Sequence, residues 1–188
     1  AYCPKKIYPI CQAAVNLMSG VPSVVYGFFG LVLIVPLMNA MTGKDGSTML
    51  TASILLAIMI LPTIIGVSET AIRSVPEHYY EGSLALGATK ERSLFSVVLP
   101  AARSGVIAGI VLGIGRAIGE TMAVIMIAGN QPRMPKGLFK GVRTMTANIV
   151  LEMGYATDLH REALIATGVV LFVFILIINL AVSLLNRR

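Results

Sequence analysis

Arg116 and Glu120 stand four residues apart in a stretch, Gly105 to Ala128, that carries no other charge. Each charge at the centre of a bilayer costs on the order of 2.5–3.5 kcal/mol, so neither is expected to face lipid alone. Arg116 lies eleven residues past Gly105, about 16 Å along a helix rising 1.5 Å per residue, near the middle of a bilayer. At about 100° per residue, Gly105, Gly109, Gly113, Arg116 and Glu120 share an arc of roughly 80°. Glycines spaced by four let a second backbone approach closely. The stripe is thus expected to be tightly packed at one end and charged at the other, facing the bundle interior or a partner helix and lining a pathway. Two roles suit the pair. It can be a structural clasp in which the charges neutralise each other. Or it can serve a pathway, where a guanidinium at a constriction suits an anionic cargo and the carboxylate holds it when the pathway is empty.

No other residues supply chemistry. The run Gly113 to Gly119 has the wrong spacing for a dinucleotide fingerprint and lies inside an apolar span rather than after a strand. No phosphate-cradling P-loop occurs, so any ATP used must bind another polypeptide. Cys3 and Cys11 make no metal spacing and no argued disulfide. His78 and His160 read as solvated histidines, and the ten methionines as packing. No catalytic residue, metal or cofactor is expected. The basic segment Arg133 to Arg143 either attracts anions or anchors at headgroups, the second reading being favoured.

The elements that must position Arg116 follow from composition. Hydrophobic residues make up 56% of the 188 and charged ones 13%, about half the charged share of a soluble domain, with a mean hydropathy of +0.82. This describes an all-α protein whose main solvent is lipid. The net charge of +6 is spread over loops and termini, which fits headgroup anchoring and no nucleic-acid partner. Four spans are expected, about 22–41, 49–67, 105–128 and 163–185, in one transmembrane domain covering 1–188. Gly20-Val21-Pro22-Ser23 separates a short helix from the first span, Pro62 is expected to kink the second, and Lys44-Asp45-Gly46 turns between them. The chain starts at Ala1 rather than a Met, as a fragment or trimmed piece would.

Four spans put both termini on one side. Eight Lys and Arg lie there and in the 68–104 loop: Lys5, Lys6, Arg73, Lys90, Arg92, Arg103, Arg187 and Arg188. Six lie opposite: Lys44, Arg133, Lys136, Lys140, Arg143 and Arg161. The positive-inside rule thus places the loop in the cytoplasm by a narrow margin. Within it, Ser74-Val75-Pro76-Glu77 reads as a capping box opening a helix that runs to Leu86. Gly87 breaks it, and a second short helix is expected from Thr89 to Leu99, limited by Pro100. The loop is either a plain link between spans or a docking knuckle. The apolar Leu84, Ala85, Leu86, Leu94, Phe95, Val97 and Val98 favour the knuckle, because they need cover.

Glu81-Gly82-Ser83, three residues, Gly87, nine residues, and Val97-Val98-Leu99-Pro100 resemble the EAA motif of ABC-importer permeases. Gly82 and Ser83 stand where that motif has alanines. The resemblance implies a MetI-like helical bundle in which this loop forms cytoplasmic coupling helices docking on a separate ATPase. Gly20 to Gly27, Gly113 to Val124, Gly129-Asn130, Thr144 to Gly154 and His160 to Leu164 are similar to permeases of phosphate-specific transport, of the C type rather than the A type. That likeness implies phosphate passage along Arg116 and Glu120. It further implies a second permease, ATP-binding subunits and an extracytoplasmic phosphate-binding protein as partners in the cytoplasmic membrane. Members of the family have six spans, so the likeness also implies one or two helices preceding the region matched here. A permease for sulfate or molybdate is the alternative within this class, and an ATP-independent secondary transporter or channel the alternative outside it.

Overall fold

Where proline and glycine punctuate the apolar sequence, the chain breaks into helices. The structure, a computed structural model, describes residues 4, 6–43 and 45–185. Cys3, Lys5, Lys44, Arg187 and Arg188, which enter the sequence reading, lie outside the described residues. Helix α1 (Tyr8–Gly20) starts with a proline in its first turn and stops before Val21, which is extended (φ −75°, ψ 128°) because Pro22 follows it. Helix α2 (Ser23–Thr42) carries one π turn, Gly30–Ile34, and ends on Gly43 in the left-handed region at φ 62°. Helix α3 (Met49–Arg73) is capped by Thr48, whose hydroxyl accepts the Thr51 N–H, and continues through a buried Pro62.

The loop that follows folds into α4 (Glu77–Ala85) and α5 (Lys90–Ala101), the latter capped by Thr89 and containing a π turn at Leu94–Val98. A 66° bend at Ala102 leads into α6 (Arg103–Gly119). Three short or long helices complete the chain: α7 (Met122–Ile127), α8 (Met145–Met153) and α9 (Asp158–Leu185). Three helices are long and apolar enough to cross a membrane (α2, α3 and α9), and the bent α5–α6 pair gives up to a fourth.

Two contacts organise the bundle. Helices α3 and α6 lie antiparallel, with Gly105 over Ala71, Gly109 over Val67 and Ser68, and Gly113 over Ile64. Between apolar helices in lipid such close approach supplies van der Waals contact where no hydrophobic drive exists. At the other end of α3, Ala52 and Leu55 form a core with Ala123, Val124, Ile127 and Ala128 of the α7 region. Helix α2 reaches this core through Gly27, which sits over the Ala123 backbone, and Gly30, against Leu55 and Ile127. The segment after α7 folds over the start of α3: the Met49 and Leu50 N–H groups donate to the carbonyls of Lys140 and Leu138, both at 2.9 Å. Those carbonyls satisfy donors that the first turn of a helix leaves open. Because α3 runs from this segment to the α4–α5 knuckle, the two lie at opposite ends of the bundle.

Several boundaries differ from the sequence reading. The second span extends to Arg73, six residues beyond 67, so the start of the expected 69–103 loop is still helix. The fourth begins at Asp158 rather than 163. No capping box forms at Ser74: that residue ends α3, its hydroxyl donating back to the Thr70 carbonyl at 2.6 Å, and Pro76 takes the N-cap position of α4. A serine is preempted this way when the preceding helix already fixes its backbone as helical. The third span, expected to run unbroken over 105–128, stops at Gly119.

Candidate functional site

The break in the third span lies between the two charged residues. Glycines at 113, 115 and 119 weaken the end of α6. Glu120 then leaves the helix for an extended conformation, φ −68° and ψ 129°. Its carboxylate turns to the next helix instead: the Ala123 N–H donates to Glu120 Oε1 at 3.1 Å. A carboxylate acceptor at this place satisfies an open donor and complements the positive end of α7. The Glu120 carbonyl, also freed by the break, accepts from Thr146 Oγ1 at 3.2 Å. A broken backbone within a span is tolerated when its polar groups find partners in this way.

Arg116 remains in the last turn of α6, exposed on the chain's own surface, and its Nη1 donates to Thr63 Oγ1 on α3 at 3.3 Å. Ion pairs form at Glu69–Arg73, Arg143–Glu152 and His160–Glu152, and among the described residues none joins Arg116 to Glu120. The structural clasp weighed from the sequence is therefore not formed. The expected common arc also ends at Arg116, because the 100° periodicity stops with the helix. Gly105, Gly109 and Gly113 lie on the α3-facing side of α6, with Gly109 and Gly113 buried. The result is a guanidinium with a neutral hydroxyl partner beside a carboxylate held by backbone. That is a polar step in an otherwise apolar wall.

At the knuckle, Glu81 and Gly82 are exposed on α4, and Ser83 Oγ donates to the Tyr80 carbonyl at 2.9 Å. Gly87 joins the two helices at φ +85°, a conformation that favours glycine. Leu99 and Pro100 lie in the last turn of α5, just before the bend. Val98 and Ser93 are buried inside, whereas Leu86 is 90% exposed and Phe95 64%. The knuckle thus presents large apolar side chains outward that stay exposed among the described residues.

Sequence reasoning did not single out Thr63, Thr144 or Thr146, since a lone threonine in an apolar run carries no signal by itself. It also missed two polar ties. The Tyr8 hydroxyl bonds Glu69 and receives the Arg73 Nη2 at 2.8 Å, fastening α1 to the end of α3. Arg143 Nη1 donates to Glu152 Oε1 at 2.6 Å, and its Nε to the Asn130 carbonyl at 3.1 Å. This tie closes the segment after α7 onto α8.

The family described as "Binding-protein-dependent transport system inner membrane component" matches residues 2–188. The chain is 38% identical over 182 residues to the "Probable ABC transporter permease protein YqgH" of Bacillus subtilis, covering 95% of this chain and 59% of that protein. It is 37% identical over 180 residues to the "Phosphate transport system permease protein PstC" of Xylella fastidiosa, covering 85% and 56%. The chain therefore spans less than two thirds of the length of these relatives. Among solved structures, a chain of the MetNI methionine ABC transporter in inward-facing conformations matches with a TM-score of 0.75 and 21% identity, over 97% of this chain and 75% of that one. That likeness concerns the fold, which is of the ABC-importer permease type.

Proposed function

Because this chain belongs to the family of binding-protein-dependent transport system inner membrane components, we propose that it is the translocating part of an ATP-driven importer of inorganic phosphate. The observation that carries the reading is Arg116. It is a guanidinium fork on a span whose hydrogen bond, among the described residues, goes to a threonine hydroxyl, next to a break where the backbone is already open. Guanidinium suits the oxygens of phosphate, and relatives over 30% identical carry the name phosphate transport system permease. Glu120 lies one residue beyond the helix and bounds the polar step on the side away from the knuckle.

No catalytic step belongs to this chain. ATP would be hydrolysed by separate subunits docking on the exposed Leu86 and Phe95 of the knuckle, with Glu81, Gly82, Ser83, Gly87, Leu99 and Pro100 shaping the docking surface. A second permease would complete the pathway, and an extracytoplasmic phosphate-binding protein would deliver the anion to the face opposite the knuckle. This orientation places the knuckle in the cytoplasm and the chain as a multi-pass protein of the cytoplasmic membrane. When the ATPases close, the knuckle would push α3 and α6 as one glycine-packed unit.

The reading is tested with Arg116→Gln in the full-length subunit. The variant keeps a polar side chain but loses the charge. Expected is loss of ATP-driven phosphate uptake by about 100-fold or more, the scale of removing one partner of a charged contact with the anion, with ATPase subunits still co-purifying. Normal uptake would remove Arg116 from the pathway.

A further inference from the structure

At the end of the bundle opposite the knuckle, a cavity of about 420 Å³ opens between the segment after α7 and the start of α8; its lining includes Gln131, Arg133, Arg143, Thr144, Asn148 and Thr167. Two guanidiniums reach it. Arg133 is exposed and bonds only a neutral group there, donating through Nε and Nη2 to Gln131 Oε1 at 3.1 and 2.9 Å. Arg143 is 21% exposed and shares Nη1 between Glu152 Oε1 at 2.6 Å and Asn148 Oδ1 at 3.3 Å. Glu152 is 18% exposed and is not itself part of the lining. The two positive groups thus face one carboxylate, which leaves the cavity with an excess of positive charge.

The polar groups continue inward. Thr144 Oγ1 lies 3.1 Å from Thr146 Oγ1, and the Thr146 hydroxyl donates to the Glu120 carbonyl at 3.2 Å. These hydroxyls connect the cavity to the break in the third span through an otherwise apolar region. A partly desolvated arginine takes a tetrahedral oxyanion well, since its fork matches two oxygens at once. A carboxylate already on that fork must be displaced first.

We propose that this cavity is a second oxyanion site, anchored by Arg143 and assisted by Arg133, in which the incoming anion competes with Glu152 for the Arg143 guanidinium. The anion waits here before it passes along Thr144 and Thr146 to Arg116 and Glu120. The proposal rests on reading the chain as an oxyanion permease. It differs from headgroup anchoring of the same basic segment, which involves no internal carboxylate.

The test is equilibrium binding of labelled inorganic phosphate to the complete transporter in nanodiscs, without binding protein or ATP. It is done in an Arg116→Gln background so that the inner site is silent. Arg143→Gln is expected to weaken binding by about tenfold or more, and Glu152→Gln to strengthen it by about three- to tenfold, because the competitor is gone. Both substitutions break the same ion pair, so a merely structural tie would make them fall together, and that result would overturn the site. So would Arg143→Gln binding as the parent does, or absence of binding of both phosphate and sulfate. If sulfate binds with this pattern and phosphate does not, the site stands and the phosphate reading fails. Undiminished ATP-driven phosphate uptake by Arg143→Gln would overturn the site and leave the proposed function in place.

Discussion

Glu120 shows how a single residue can be read correctly in type and wrongly in place. Its sequence spacing puts it one helical turn past Arg116, but three glycines and its own capping bond to Ala123 make it the end of one helix and the start of another. Two roles are then combined in one carboxylate, a backbone acceptor and a charge, and they separate by substitution. Glu120→Gln keeps an oxygen for the Ala123 N–H and should leave the fold intact while phosphate uptake falls by roughly tenfold or more. Glu120→Ala removes the cap as well and should cost about 1 kcal/mol of stability in addition. Equal thermal stability of the two, measured in detergent, would deny the capping role.

A second residue-scale prediction concerns pH. The hydrogen bond from Tyr155, followed by the Arg143 guanidinium, holds the Glu152 carboxyl below the ordinary carboxylate range. A depressed carboxylate contributes stability that is fully present above its unfolded value and is lost as pH falls through the folded one. The full-length subunit should therefore lose part of its thermal stability on acidification below about pH 4.5, and Glu152→Gln should reduce that loss. Scanning fluorimetry from pH 7 to pH 3 checks it; parallel curves for the two proteins would contradict it.

At the scale of elements, the glycine-lined contact of α3 and α6 decides which motions are allowed. A methyl group at Gly105 would overlap the Ala71 Cβ, which cannot rotate away, whereas one at Gly115 meets nothing within 4 Å. Gly105→Ala is expected to destabilise by about 1–3 kcal/mol through overpacking. Gly115→Ala should be neutral, or stabilising by up to about 1 kcal/mol, from helix propensity alone. Unfolding of the full-length subunit in detergent distinguishes them, and equal effects would mean that the helices are not held at this distance. Much at this scale was legible in advance. Pro22 and Gly20 before it mark the break between α1 and α2, Thr89 marks the start of α5, and the spacing of Gly105, Gly109 and Gly113 marks a packed face. The break at Glu120 was not legible, because apolar periodicity continues across it from Ile118 to Met122. The bonds of Thr63 to Arg116 and of Thr146 to Glu120 were hidden for a different reason: they join residues 53 and 26 positions apart, which local patterns do not relate. Ser74 misled because its capping signature is sound, but the helix before it does not end where its apolar run does.

The whole molecule divides into two ends joined by α3 and α6. One end carries the knuckle with uncovered Leu86 and Phe95, and the other carries the Arg143–Glu152 tie over the start of α3. Between them lies the Arg116–Glu120 step. Long α9 contributes little to this frame, since Phe172 is 66% exposed and Val170 59%, as suits a helix that meets lipid or a partner. In the proposed importer, an ATPase acting on the first end would reach the step through the packed α3–α6 pair. Uncovered apolar side chains on this stiff knuckle suit a docking subunit, which a secondary transporter or channel does not require.

The decisive measurement is uptake of labelled phosphate into proteoliposomes holding the full-length subunit with its second permease, ATPases and binding protein. Uptake is expected to require ATP in the ATPase-facing compartment, to persist after ion gradients are dissipated, and to resist excess sulfate or molybdate. Uptake driven by an ion gradient without ATP would contradict it.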